Sequence, residues 1–256
     1  MGLFEVNLEN HWQSERHDSH VHLRRSSPKA LSISNAQRMP VTWANWCGTV
    51  HHGLPASLYA AGCGDGGYLA FLGRICPEKR PDWAIEIARR AGLPLAMAAK
   101  VDKADRAYYK TRIKPLLKDP LIEFVGEIGE NEKETFLGEA AALLFPVDWP
   151  EPFGLVLIEA MANGTPVIAF RRGAVPEIVD HGVTGFIVND IGEAVEAVPQ
   201  AKALDRAAIR RRFEERFSVH RMAQNYLELY EQILTHGRME ALLSSATVAQ
   251  SAARAA

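Results

Sequence analysis

The chain has 256 residues, 47% of them hydrophobic and 23% charged, with a formal net charge of −2. This is the composition of an ordinary globular protein of one large or two small domains, and its charge argues against a general nucleic-acid binder. Cys47, Cys63 and Cys76 follow no metal-ligand spacing and cannot all pair, so reduced thiols and a cytoplasmic setting are expected, and no apolar run is long enough to span a membrane.

Residues 1–30 are polar and irregular, with a disorder-prone composition, and carry His11, His17, His20, His22 and the Arg24-Arg25 pair. The spacing of His17, His20 and His22 could serve a metal, but no periodic element holds the rings together, so an irregular segment is expected. Met1 to Glu9 lacks the basic-then-apolar order of a signal peptide. Leu31-Ser-Ile33-Ser alternates as a short strand does, and Ser34-Asn-Ala-Gln opens a turn or helix. Trp46–Val50 reads as another short strand, ending at His51-His52-Gly53-Leu54-Pro55. Gly62 to Gly67 reads as a flexible connector.

Beyond the connector the pattern becomes regular. Apolar runs at Tyr68–Gly73, Leu95–Ala99, Ile122–Val125, Ala142–Pro146, Val167–Phe170 and Gly185–Val188 predict strands. Amphipathic stretches at Asp82–Ala91, Asp105–Leu117, Glu132–Glu139, Gly154–Asn163 and Val175–Asp180 predict helices between them. This alternation predicts an α/β fold, a parallel sheet with helices on both faces. Ligands of such sheets bind beyond the carboxyl ends of the strands, which selects the loops Arg74–Arg80, Gly126–Asn131, Val147–Phe153 and Arg171–Val175. Asp205–Arg216 and Val219–Leu234 then read as helices, with Phe213, Phe217, Met222, Tyr226, Leu229, Tyr230 and Ile233 inward. The tail from Gly237 is rich in small residues and is expected to fray.

Four stretches can carry chemistry. Glu151 and Glu159 bracket the start of the helix that Gly154 opens, where free backbone N–H groups and the helix dipole favour an anion. Arg74 and Lys79 stand at the two ends of a tight loop; they are either a fork and a point charge for a diphosphate, or two solvated surface cations. As ligands of a leaving diphosphate they would stabilise its developing charge without a metal. The backbone from Gly126 to Ile128 either reads the edge of a flat base or forms a plain strand-to-helix turn. Glu177 either faces a ligand or simply sits favourably near a helix start.

Gly73-Arg74…Glu78-Lys79, Glu151…Glu159, Gly164-Thr-Pro-Val-Ile, Gly173-Ala-Val-Pro-Glu177 and Gly182-Val-Thr-Gly-Phe186 occur in this order. Together they resemble the C-terminal, nucleotide-sugar-binding domain of the retaining, GT-B-fold glycosyltransferases of group 1 (family 4). The resemblance covers residues 68–190 strongly and the helices to about 234 more loosely. It implies one Rossmann-like half of a GT-B fold over 68–200, C-terminal helices over 201–236, and a flexible tail over 237–256. Residues 31–67 would be the remnant of a truncated N-terminal domain with its crossover, and His52 matches that crossover.

The resemblance also implies roles. Arg74 and Lys79 would hold the diphosphate and, with Glu151 on the donor sugar, form the catalytic set. Glu159 would accept from the ribose hydroxyls; Gly154, Leu155 and Val156 would offer backbone N–H groups, with Phe153 beside them; Gly126 and Ile128 would meet the base. Arg80 stands where the family usually has glycine. The implied activity is retaining hexosyl transfer from a nucleoside-diphosphate sugar to a sugar, lipid or small-molecule acceptor, with no cofactor and no metal. The alternative is a nucleotide-sugar-binding module that needs a partner for catalysis; an epimerase sharing the two-domain fold fits the two cations and the paired glutamates less well. The apolar face left by the missing domain would favour self-association.

Overall fold

The computed structural model describes residues 29–235. The predicted irregular segment, save Lys29 and Ala30, and the predicted tail from Gly237 lie outside the described residues.

Six strands form the main sheet: β3 (Leu69–Arg74), β4 (Leu95–Lys100), β5 (Ile122–Gly126), β6 (Ala142–Phe145), β7 (Val167–Phe170) and β8 (Gly185–Val188). All neighbours pair parallel, in the order β5-β4-β3-β6-β7-β8. The strands fall on the predicted apolar runs because a parallel strand buried on both faces needs nearly continuous hydrophobicity; the edge strand β5 is the exception, with Glu123 and Val125 exposed. Alternation along β3 sends Leu69 and Phe71 to one core and Ala70 to the other. The Leu69 side is covered by α1 (Pro81–Ala91) and α6 (Ile191–Lys202). The Ala70 side is covered by α3 (Glu130–Gly138), α4 (Leu155–Ala162) and α7 (Arg206–Phe217), with the short α5 (Val175–Ile178) at its margin.

Beyond shifts of one or two residues at helix ends, two stretches depart from the predicted helices. The stretch from Asp105 is not one helix: α2 (Arg106–Tyr108) runs into a π turn at Tyr109–Ile113, and a separate 3₁₀ turn follows at Leu116–Lys118. Pro115 explains the break, since it has no N–H to donate back into the helix and its ring crowds the preceding turn. The second difference is α6, which the pattern reading missed because Pro199 sits inside it. A start signal was present: Asp190 caps the Glu193 N–H at 2.9 Å, while the Glu193 carboxylate reaches back to the Asn189 N–H at 2.8 Å.

Ahead of the main sheet, β1 (Ala30–Ser32) and β2 (Trp46–Thr49) pair parallel with each other, joined through a 3₁₀ turn at Ala36–Val41. A last helix over residues 219–235 follows α7. Phe213 and Phe217 are fully buried and Leu229 nearly so, as predicted, but Tyr230 faces outward. The segment before the connector is coupled to the end of α7 here: Leu54 N–H donates to the Phe217 carbonyl, and Val219 N–H to the Leu54 carbonyl, both at 2.9 Å.

The glycine-rich connector is fastened rather than loose. Its Gly62, Gly64 and Gly66 N–H groups donate to the carbonyls of Asn163, Gly138 and Glu139. Glycine is needed because a Cβ at Gly62 would stand 2.2 Å from the Gly138 oxygen. Two arginines of α7 complete the closure. Arg206 donates to the carbonyls of Gly62, Gly138 and Ala140 and to the Thr165 hydroxyl, at 2.7–3.1 Å. Arg210 donates to the carbonyls of Ala56, Tyr59 and Ala162. Removing Arg206 takes the donor from the inward Gly62 and Ala140 carbonyls and leaves Gly138 with the Gly64 N–H alone, so Arg206→Ala is expected to lower unfolding stability by about 3 kcal/mol, from the range for hydrogen bonds to charged groups. Urea denaturation checks this; a loss under about 0.5 kcal/mol, the scale of ordinary surface changes, would show that the guanidinium holds nothing.

Candidate functional site

The strand order reverses between β3 and β6: the chain moves outward to β4 and β5 from one, and to β7 and β8 from the other. At this switch point the two strand-end loops diverge and leave a crevice. A cavity of about 170 Å³ lies there, walled by Phe71, Leu72 and Gly73 of β3 and by Phe145 with Pro146 and Val147 after it. Lys79, Glu151 and the start of α4 at Gly154, Leu155 and Val156 complete it.

Local sequence sets this edge. Gly154 adopts φ 87°, a left-handed turn that swings the loop directly into α4 and leaves its first N–H groups at the cavity. Glu151 is only 7% exposed and its carboxylate is held by the Lys79 ammonium and by the Trp149 indole N–H at 2.9 Å. A carboxylate buried this far needs such partners. The ammonium also lies 5.5 Å from the Phe145 ring centre and 5.7 Å from that of Trp149, so a cation sits over aromatic faces at the cavity wall. The Glu151 backbone is fixed from below. Its carbonyl accepts from Ala174 N–H at 2.8 Å, and a Cβ at Gly173 would stand 2.1 Å from that same oxygen.

The other predicted residues are distributed around this cavity. Arg74 does not line it and does not converge with Lys79. Its guanidinium turns to Asp102 at 3.7 Å and Asp105 at 3.8 Å. It is half exposed, and a hydrogen bond with Cys76 leads the effects that raise its pKa. Glu159 lies outside the cavity wall too, at 3.0 Å from Lys133 of α3. Burial works against the Lys133 charge, yet hydrogen bonds to Glu130 and Glu159 outweigh it and raise its pKa. Gly126, at φ 90°, and the half-buried Ile128 lead into α3, on the same side as Glu159 and Lys133. The Phe153 ring is buried and packs edge-on against His52 at 4.9 Å and Phe217 at 6.3 Å, so the side chain anchors the loop to the core.

Residues matching the family of glycosyl transferases group 1 run from 64 to 217, more than half of the chain. The chain belongs to the group 1 glycosyltransferases. It is 35% identical over 167 residues to the D-inositol 3-phosphate glycosyltransferase of Mycobacterium leprae, covering 57% of this chain and 37% of that protein. The Mycolicibacterium smegmatis protein of the same name is 28% identical over 206 residues, covering 71% and 44%. This group 1 glycosyltransferase chain thus spans less than half the length of the curated relatives it matches. Two solved structures share its fold. Anabaena HepE in complex with UDP and glucose superposes with a TM-score of 0.68 at 20% identity, over 82% of this chain and 64% of that one. Sucrose-phosphate synthase from Thermosynechococcus elongatus gives 0.70 at 21% identity, over 82% and 59%.

The sequence reading passed over Trp149, Asp148 and Lys133, which hold the site's acids or cations in place. Only Trp149 left a local signal, an aromatic two residues before Glu151. Glu177 was left between two readings, and the structure gives its carboxylate a further role: it accepts from the Asn35 and Ala36 N–H groups at 2.8 and 2.7 Å and from the Asn35 amide at 3.0 Å. It fastens the β1–β2 unit to the main domain. Burial lowers the pKa of His51, 3.5 Å from Glu177. Glu177→Ala is expected to strip amide-exchange protection from residues 35–41 by about tenfold or more, as lost charged hydrogen bonds would. Strands β3 to β8 should keep theirs. Unchanged exchange at Asn35 and Ala36 would remove Glu177 from this role.

Proposed function

We propose that this chain forms the donor half of a retaining glycosyltransferase, transferring a hexosyl group from a nucleoside-diphosphate sugar. The observation that carries the reading is the Lys79–Glu151 pair beside the α4 start, in a crevice at the switch point of the sheet. Lys79 and the N–H groups at Gly154, Leu155 and Val156 suit a diphosphate; Arg74, half exposed at the end of the same loop, can swing to join them. Glu151 faces the place where the sugar hydroxyls would lie, and Glu159, beyond the cavity on the α3 side, suits the ribose with Ile128 and Gly126 nearer the base. The bond from the anomeric carbon to the diphosphate oxygen breaks, and the electron pair leaves with the diphosphate. The acceptor oxygen, from a sugar, lipid or small molecule, bonds to that carbon on the same face, and its proton passes to the departing diphosphate oxygen. Developing negative charge is met by side chains and a helix start, so the transfer needs no divalent metal or other cofactor.

A second reading rests on where the family match lies: residues 64–217 form the unit that holds the cavity, which suits a nucleotide-sugar-binding module completed by a partner that supplies the acceptor side. Steady-state release of UDP or GDP from the isolated chain supports the first reading; binding without release supports the second. Self-association belongs to the same proposal, through the face bearing Met39 and Trp43, which are 74% and 81% exposed. Sedimentation equilibrium of the Trp43→Ser variant should show weaker association than the unmutated chain; a monomer at high concentration without any substitution would refute it.

Titration calorimetry with EDTA present tests the nucleotide reading. Lys79→Ala is expected to weaken UDP or GDP binding by about 1.5–3 kcal/mol, the range for hydrogen bonds to charged groups. Glu159→Ala should also weaken the nucleotide, and Glu151→Ala should matter more for the intact nucleotide sugar. Binding that vanishes on chelation, or survives both Lys79→Ala and Glu159→Ala unchanged, would show the assignment to be wrong.

A further inference from the structure

Among the described residues, Arg80 is the non-glycine residue with a positive φ, at φ 48° and ψ 51°. An L-residue pays for this conformation in contact between its Cβ and the backbone, and Pro81 adds its own restriction on the residue before it. The position therefore suits glycine. Arginine is tolerated here because its side chain is held at every point.

Its guanidinium forks onto Asp82, with Nε at 3.0 Å and Nη2 at 2.7 Å from the two carboxylate oxygens. The same group lies 3.8 Å from the centre of the Trp83 ring, and Nη1 is 3.7 Å from Asp148. Asp82 is further fixed by the Tyr108 hydroxyl at 3.3 Å, and Asp148 by Arg172 Nε at 3.1 Å. The residue on the other side of Lys79 meets the same aspartate: the Asp148 N–H donates to the Glu78 carbonyl at 2.8 Å. Lys79 is thus pinned on both flanks to Asp148, and Asp148 belongs to the loop that carries Glu151.

We propose that Arg80 is a positioning residue for donor binding: tethered to Asp82 and Asp148, it fixes the loop after β3 so that the Lys79 ammonium stands against Glu151 in the cleft. The proposal rests on the reading of Lys79 as a diphosphate ligand. Arg80 does not line the cavity itself, so its influence on the ligand passes through Lys79. A backbone preference alone would make glycine the better residue here. The tether predicts the reverse for binding.

The test is a double-mutant cycle on the described chain, with UDP, GDP and ADP as probes in calorimetry and thermal melting as the check on folding. Arg80→Gly relieves the backbone conformation, so its melting temperature should not fall, yet its affinity for the best of the three nucleotides should drop about tenfold, a size typical of coupled neighbours. In the Lys79→Ala background the same change should cost nothing further. A structural role without positioning would cost the same factor in both backgrounds. Asp148→Asn, which keeps the backbone bond to Glu78 and weakens the charge contact with Arg80, should reproduce the Lys79-dependent loss and carries the test if Arg80→Gly does not fold. Wild-type affinity in both Arg80→Gly and Asp148→Asn, or equal losses with and without Lys79, overturns the proposal alone. Failure of the unmutated chain to bind any of the three nucleotides overturns the nucleotide reading and this proposal with it.

Discussion

The parallel pairing of β3 with β6, registered by Leu69 opposite Ala142 and Ala70 opposite Leu143, is the constraint on which the site depends. It brings together two strands whose chains then depart in opposite directions, so the loops after Arg74 and after Phe145 face each other with no connection crossing between them. Every group in the cleft is delivered by that juxtaposition. Lys79 comes from one loop and Glu151 from the other, 72 residues apart in sequence. Ala96 and Ala98 of β4 share the core on this side of the sheet with Leu137 of α3 and Leu157 and Ile158 of α4.

Charge then determines how the loops sit. A carboxylate as enclosed as Glu151 would be strongly destabilising without a counter-ion, and removing one partner of a buried pair costs about 3–5 kcal/mol in measured cases. Lys79 and Trp149 satisfy it. The other loop cations are balanced outside the cavity: Arg74 by Asp102 and Asp105, Arg80 by Asp82 and Asp148, Arg172 by Asp148. These outer pairs are more exposed and individually weak. They work through geometry, because Asp148 takes contacts from the loops after β3 and after β7 while itself following β6.

The preceding segment joins the domain through a different set of forces. Glu177 caps the turn at Ala36–Val41, Leu54 exchanges backbone bonds with the end of α7 and the start of the last helix, and Leu229 packs against Gly48, where any Cβ would fall within 2.5 Å of the leucine. Tyr59 donates to Glu130 and the Ala60 N–H to Glu134, so the connector also rests on α3. Burial and the bond to Glu130 push the Tyr59 phenol pKa upward. The β1–β2 unit and the main-sheet domain are thereby held as neighbours, although among the described residues the strands of one sheet pair with none of the other.

The sequence by itself determined the elements and the site's skeleton, because those are local signals. A run such as Val167–Phe170 is apolar enough only for a doubly covered strand, and Gly154 before Leu155–Ala162 marks a helix start wherever it folds. The ordered motifs around Glu151…Glu159 likewise carried the resemblance to the family without any coordinates. Local reading failed where a second preference intervened: Pro115 cut a helix that the apolar spacing continued, and Pro199 hid one that Asp190 had opened. Tertiary structure alone decided the partners. Nothing local says that Glu159 meets Lys133, that Arg74 turns to Asp102, that Phe153 faces the core, or that Glu177 fastens Asn35. A charge pairs with whatever the topology brings within a few ångströms, and that distance is set by residues far away in the chain.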